Sequence, residues 1–363
     1  MRAFSVVLML LLLAAVATAQ DKPAAYRLPE SAAFTEEEVS IRIAADKPEQ
    51  EWAIAGMLNI PRGEKPAAGW PAVLYISGSG SQERHGFQGG LDLGTWQFLD
   101  AIANAGFVVL RTDDRGVGKT PLGPAGMKPE DLGYDDLVSD ARHGLKFLQA
   151  RPEVNKQRVF LVGHSEGGLT APILAGEDTT VAGVVLLAAM GRNLYDVTLE
   201  QVQDSMTGQP KAQQEMNLKA QREFQNAVKE NREPDFNVLG PLAARQLKAS
   251  WQTSVLPIRK WWHQHFVKDV PAIHAAVKCP VLVLQGEADF QVKPDKDARQ
   301  IVKNIMAGPC REATFKLYAD LDHLFKPCGG RKSEMKMYFE KRDVDPGVIR
   351  DVVAWLKDVA TRP

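Results

Sequence analysis

Cysteine is scarce in this chain. It has three in 363 residues, Cys279, Cys310 and Cys328. Three is an odd count, and the spacing resembles no zinc pattern, so no metal site is expected from them. Charge imbalance is missing too. The formal net charge is -1, so no global field draws the protein to nucleic acid or to anionic membranes. No basic run carries interleaved aromatics, and no nucleic-acid partner is expected. Beyond the amino terminus no segment is apolar enough to span a membrane. Internal repeats and low-complexity tracts are absent. What remains is globular composition, 45% hydrophobic and 25% charged, with ample length for a large core. One large α/β domain with an insertion fits at least as well as two domains.

The amino terminus reads as a processing segment. Arg2 is a positive n-region, Val6 to Val16 an apolar h-region, and Ala17-Thr18-Ala19 a small-residue cleavage signal before Gln20. The alternative is an uncleaved anchor, but the apolar stretch is short for a spanning helix. The expectation is a signal peptide over residues 1–19. The mature protein is then periplasmic or secreted, with no stable membrane insertion.

Residues 20 to 37 are polar and alanine-rich and read as a loose leader, with a folded domain from 38 to 363. Glu38–Ile43 and Trp52–Asn59 alternate like two strands of a hairpin. Short buried strands are expected at Val73–Ile76, Phe107–Leu110, Val159–Val162, Val181–Ala189, Val281–Leu284 and Thr314–Tyr318. Helices are expected at Thr95–Ala105, Tyr134–Ala150, Lys296–Met306 and Val348–Ala360. Strands alternating with helices imply an α/β fold, a mostly parallel sheet covered by helices on both faces. Residues 191–275 break this rhythm. They are rich in Gln, Lys, Glu, Met and Trp and read as a helical cap insertion.

The strand at Val159–Val162 runs into Gly163-His164-Ser165-Glu166-Gly167-Gly168 and then a helical segment. Strand, sharp turn and helix with a serine at the apex is the pattern of a nucleophile elbow. Glycines permit the tight turn, and the helix aims its first amides at the space above the serine. A serine nucleophile needs a base and an acid that orients it. In a parallel sheet, loops at the carboxyl ends of strands share one edge. The strand at 281 opens into Gln285-Gly286-Glu287-Ala288-Asp289, and the strand at 314 into Ala319-Asp320-Leu321-Asp322-His323. His323 is the candidate base. His143 lies in a helix, His85 follows an earlier loop, and His263, His265 and His274 fall in the cap. His164 should point away from the reaction centre. For the acid, Asp289 competes with Glu287 and with Asp322, whose position beside the base makes folding back onto its ring difficult. Ser77-Gly78-Ser79-Gly80 follows the strand at 73 and is the candidate oxyanion loop. The amide of Ser79 is the first choice there, that of Gly78 the second, with the amide of Glu166 as the other donor. A phosphate cradle is the rival reading, but the loop lacks a Gly-Lys-Ser/Thr ending.

These motifs, with Asp113-Asp114-Arg115-Gly116-Val117-Gly118 and Cys279-Pro280-Val281-Leu282-Val283-Leu284, resemble the α/β-hydrolase superfamily. Within it the chain is similar to exported bacterial esterases and dienelactone-hydrolase-like proteins, over roughly residues 38 to 360. The resemblance implies the α/β-hydrolase fold and favours Asp289 over Glu287 as the acid. Many relatives open the oxyanion loop with His-Gly where this chain has Ser77-Gly78. The implied activity is hydrolysis of a small-molecule carboxylic ester through Ser165, His323 and Asp289, with no metal or organic cofactor. Peptidase, thioesterase and acyltransferase activities remain alternatives on the same fold, and a non-catalytic binding protein is an alternative of another class. Trp251, Trp261, Trp262 and Phe266 are candidates to line an apolar acyl pocket; their other reading is helix packing. Cys279 reads as a buried free thiol. Cys310 and Cys328 flank the histidine segment, where a bridge between them would tie the loop down and free thiols are the alternative.

Overall fold

The computed structural model describes residues 26–44 and 50–362. The expected signal peptide lies outside the described residues. β1 (Phe34–Ile43) and β2 (Trp52–Pro61) pair antiparallel from Phe34 opposite Pro61 to Ile43 opposite Trp52. β1 begins earlier than its alternation suggests, within the stretch read as a leader. Thr35, Glu36 and Glu37 conceal a strand whose anchor is Phe34, with no accessible surface.

The remaining strands are β3 (Trp70–Ile76), β4 (Phe87–Gln88), β5 (Leu91–Asp92), β6 (Val108–Thr112), β7 (Val154–His164), β8 (Val181–Leu187), β9 (Val281–Gly286) and β10 (Ala313–Tyr318). β4 and β5 form a small hairpin of their own. The other strands make one eight-stranded sheet in the order β1-β2-β6-β3-β7-β8-β9-β10. β1, β2 and β6 are joined antiparallel, and every pairing from β6 to β10 is parallel. The central strands read as continuous apolar runs because both of their faces are covered. Val159–Gly163 of β7 and Val281–Gly286 of β9 are wholly buried.

Helices take the two faces. α1 (Thr95–Asn104) and α10 (Pro346–Thr361) bring Phe98, Leu99, Ile102, Val348, Val352 and Leu356 onto Val73, Val109, Phe160, Val162, Val185 and Leu282. Each such side chain, fully buried, is worth about 1.5–3 kcal/mol. α10 opens two residues before its apolar periodicity begins. The Asp345 carboxylate accepts from the Gly347 and Val348 amides at 2.7 and 3.3 Å, with Pro346 in the first turn. α2 (Tyr134–Ala150) matches its expected bounds, and its Gly144 lies against Leu74 and Leu110 on the opposite face. α3 (Gly167–Glu177) follows β7 directly.

The chain divides into two compact units. The helical one comprises 126–137 and 192–269; the sheet-bearing one holds the described residues up to Ala125, Val138–Gly191 and everything from Val270. Within the helical unit run α4 (Leu194–Ser205), α5 (Lys211–Lys229), α6 (Pro241–Ser250), a π-helical turn at Trp251–Val255, and α7 (Arg259–Phe266). The unit is thus not one insertion over 191–275, because it also takes in the loop from Gly126. α8 (Val270–Ala275) belongs instead with the sheet. It packs against α3 and against α9 (Arg299–Met306), and Gly308 comes so close that a Cβ there would lie 2.0 Å from the Ala275 carbonyl oxygen.

All three cysteines are free, so the possible bridge between Cys310 and Cys328 is not made. Cys310 instead turns its Sγ to the Cys279 carbonyl at 3.1 Å. Cys279 itself is only partly buried.

Candidate active site

Ser165 adopts φ 52°, left-handed backbone that costs a non-glycine residue about 1–3 kcal/mol. Its surroundings hold it there. Its amide donates to the Leu187 carbonyl at 2.9 Å, and its carbonyl accepts from the Gly168 amide at 3.0 Å. The neighbouring glycines are required by contact. A Cβ on Gly163 would lie 2.2 Å from the Gly167 oxygen, one on Gly167 2.2 Å from the Ile76 oxygen, and one on Gly168 2.3 Å from Ala189 Cβ. The turn between β7 and α3 is therefore compressed against β3 and the end of β8, with the serine at its apex.

β9 and β10 deliver the other two candidates, and the structure brings them together. His323 Nδ1 lies 2.7 Å from Asp289 Oδ2. Both residues are buried. A carboxylate only accepts, so this contact assigns the proton to Nδ1 and leaves Nε2 as the basic nitrogen. Asp289 is fixed on its far side as well. Oδ1 accepts from the amides of Gln291 and Val292 at 2.7 and 3.0 Å, and Oδ2 accepts from Gln285 Nε2 at 2.8 Å. The competing acids are placed otherwise. Glu287 is exposed. Asp322 pairs with Arg342 at 2.8 Å and accepts from the Leu324 and Lys326 amides.

His164 differs from expectation. Its Nε2 lies 3.0 Å from the His323 carbonyl oxygen, and the two rings are 4.9 Å apart. Burial, reinforced by His323, lowers its pKa to about 3, so the ring is neutral and donates from Nε2. It ties the residue before the serine to the backbone of the histidine. The sequence gives no sign of this, because strand alternation says only which face a side chain takes.

The Ser77–Gly80 loop lies beside the elbow, where a Cβ on Gly78 would come within 3.1 Å of Ser165 Cβ. Ser79, the first choice of oxyanion donor, sits between Gly78 and Gly80, the latter at φ 99°. Asp114 closes this loop. Its Oδ1 accepts from Ser77 Oγ at 2.7 Å and its Oδ2 from the Gln82 amide at 2.8 Å. Its neighbour Asp113 takes Arg84, with Arg84 Nη2 2.6 Å from Asp113 Oδ2. The sequence shows the Asp-Asp pair but not its division of labour, which depends on how β3 and β6 lie side by side.

Burial, with lesser contributions from Glu166 and Asp113, raises the Asp114 pKa to about 7. The folded protein thus binds a proton more tightly than the unfolded chain does, and this contribution to stability is lost as pH rises from about 4 to about 7. Relative to Asp114→Asn, the wild-type protein should lose stability across that window, on the order of a few kcal/mol in all. Thermal midpoints of both proteins from pH 4 to 8 test this; a constant difference between them would remove Asp114 as the titrating group.

Of the two readings of the tryptophans, acyl pocket or helix packing, their surroundings support packing. Trp251 is 1% exposed, 5.4 Å from the Phe224 ring, with the Arg259 guanidinium 5.7 Å over it. Trp262 packs on Phe266 at 5.3 Å and is also buried. Phe266 is buried with them. Trp261 stacks edge-on against Trp262 and His265, at 4.7 and 4.4 Å. Trp251 and Trp262 form the interior of the helical unit. Trp251→Ala should destabilise that unit by about 3–5 kcal/mol, read by chemical denaturation; a shift below about 1 kcal/mol would place the ring outside the core.

The sequence pattern of the serine aminopeptidase S33 family matches residues 93–325. The chain belongs to this family. It is an α/β hydrolase, and the matched span contains Ser165, Asp289 and His323. Solved structures share the fold at low identity. An esterase of Pyrococcus furiosus aligns with a TM-score of 0.55 and 14% identity over 94% of this chain and 97% of its own. An acetyl xylan esterase from Paenibacillus sp. R4 gives 0.51 and 17% over 90% and 89%. A thermophilic carboxylesterase cloned from a metagenomic library gives 0.50 and 19% over 90% of each.

Proposed function

We propose that the protein is an exported serine hydrolase acting on small carboxylic esters. Ser165 is the nucleophile, His323 the general base and Asp289 the group that orients it. The observation that carries the reading is the left-handed serine at a glycine-compressed elbow in the same unit as a buried Asp289–His323 pair at 2.7 Å. His323 Nε2 takes the proton from Ser165 Oγ as that oxygen attacks the carbonyl, and the Nδ1 proton stays on the imidazolium facing Asp289. The amides of Ser79 and Glu166 receive the oxyanion. His323 then returns the proton to the leaving alcohol, and water releases the acid by the same path.

Esters take precedence because the alkoxide leaving group needs the least assistance. The family's description keeps aminopeptidase activity as the second reading. Turnover of p-nitrophenyl esters of graded chain length, run beside aminoacyl-anilides, separates them. Ester turnover with negligible anilide turnover is expected; the reverse pattern overturns the ester assignment. Export rests on the leader over residues 1–19, and intact-mass analysis of the protein from its native host should find Gln20 as the first residue. A chain retaining Met1 in the cytoplasm would reject export.

A further inference from the structure

A cavity of about 450 Å³ lies in the sheet-bearing unit beside the segment that carries His323. Neither Ser165, Asp289, His323 nor the Ser77–Gly80 loop lines it. Its lining combines aromatic residues, among them Trp96 and Tyr338, with Lys326. We propose that this cavity is a second binding site, which takes small aromatic carboxylates with the Lys326 ammonium as their anion contact.

Lys326 is 2% exposed, and its Nζ makes one hydrogen bond, to the Asp92 carbonyl at 2.7 Å. An ammonium has three donors. Among the described residues no carboxylate lies within ion-pairing distance of it, and a buried cation in that condition is costly unless something pairs with it. Burial lowers the Lys326 pKa; Asp92, Asp322 and Asp343 raise it again, and Arg342 lowers it further. An incoming carboxylate supplies the missing partner.

None of the acids around the cavity pairs with the Lys326 ammonium, and each has other partners. Asp92 accepts from the Gly94 amide and Trp96 Nε1, Asp343 from Gln97 Nε2, and Glu340 from Arg331. The basic residues are less committed. Arg342 is held by Asp322, but Arg27 and Lys341 at the exposed rim have no ion pair among the described residues. Asp92 and Asp343 are bonded only to neutral donors and keep their charge, so Arg27, Lys326 and Lys341 set against these two leave the lining with a small positive excess. The aromatic walls suit a flat apolar body behind the carboxylate, and the volume falls in the range of small-molecule sites.

The backbone that carries the ammonium is also held in place. The Asp322 amide donates to the Lys326 carbonyl at 3.1 Å, and the Lys326 amide donates to Asp322 Oδ1 at 3.0 Å. Phe325, with φ 57°, completes this closed loop. With Nζ buried and bonded to the Asp92 carbonyl, the donor loses little freedom on binding.

The test is calorimetric titration of the Ser165→Ala protein with cinnamate and with cinnamamide, which differ in charge and not in shape. Using that variant keeps the result separate from the ester assignment, whose failure would show instead as lost fluorophosphonate labelling or lost ester turnover. Cinnamate should bind, and cinnamamide at least about tenfold more weakly. Adding Lys326→Met should weaken cinnamate by a similar factor and leave cinnamamide unchanged, while Lys326→Arg retains the preference for the acid. Lys326→Gln is a second neutral variant should methionine impair folding. Absence of cinnamate binding, equal affinity for acid and amide, or cinnamate binding unchanged in the neutral variants overturns the proposal.

Discussion

Ser165→Ala is expected to abolish labelling by a fluorophosphonate probe and to lower kcat for ester hydrolysis by about 10⁵–10⁶-fold, the scale seen when a serine nucleophile is removed. Folding should survive. Ser165 is held through its backbone, by the bonds to Leu187 and Gly168, and alanine keeps both. Alanine also occupies the φ 52° conformation with strain similar to that of serine. KM should change little, because the hydroxyl is needed chiefly in the transition state. Residual turnover should reflect only substrate binding and the oxyanion donors. Labelling that persists unchanged in the variant would move the nucleophile elsewhere, as would a kcat within tenfold of the wild-type value.

The elbow was legible because its requirements are local. A buried strand, glycines at fixed offsets and a following helix leave a pattern in consecutive residues, and the structure places each element close to its expected bounds. The positions of Asp289 and His323 followed from a topological rule, since parallel strands deliver their loops to one edge, and the two side chains are found hydrogen-bonded. Legibility failed where neighbours decide. Polar residues at Thr35–Glu37 hid the start of an edge strand anchored by Phe34. The helical character of Val270–Ala275 was read correctly, but only its contacts with α3 and α9 assign it to the sheet-bearing unit. Trp251 and Trp262 are large apolar rings that suit a pocket or a core equally well by composition, and burial decided for the core. Cys310 and Cys328 are close in sequence and remain unbonded. His164 and Asp114, which tie the histidine backbone and the Ser77–Gly80 loop in place, carry no sequence signal beyond standing next to recognisable motifs.

Asp289→Asn should cost about 10⁴-fold in kcat with little change in KM, by reversing the hydrogen bond with His323. The side chain of Asp289 faces donors on every side: the Gln291 and Val292 amides at Oδ1, and His323 Nδ1 and Gln285 Nε2 at Oδ2. Asparagine has one acceptor oxygen to offer. That oxygen is expected to stay with the two backbone amides, which cannot turn away, so the new NH₂ group faces His323 and Gln285, whose side-chain amide can turn over to offer its unpartnered oxygen. An N–H opposite Nδ1 demands a lone pair there, and the imidazole shifts its proton to Nε2. Nε2 then has no lone pair with which to accept the serine proton. The loss is one of tautomer and not of position, so crystallographic geometry should be nearly unchanged while turnover collapses. Glu287→Gln is the matched control. Glu287 is exposed, and its replacement should leave activity within about twofold, the scale of an ordinary surface substitution. Steady-state kinetics on both variants decides between the two acids. Near-normal turnover in Asp289→Asn, with collapse in Glu287→Gln, would transfer the orienting role to Glu287.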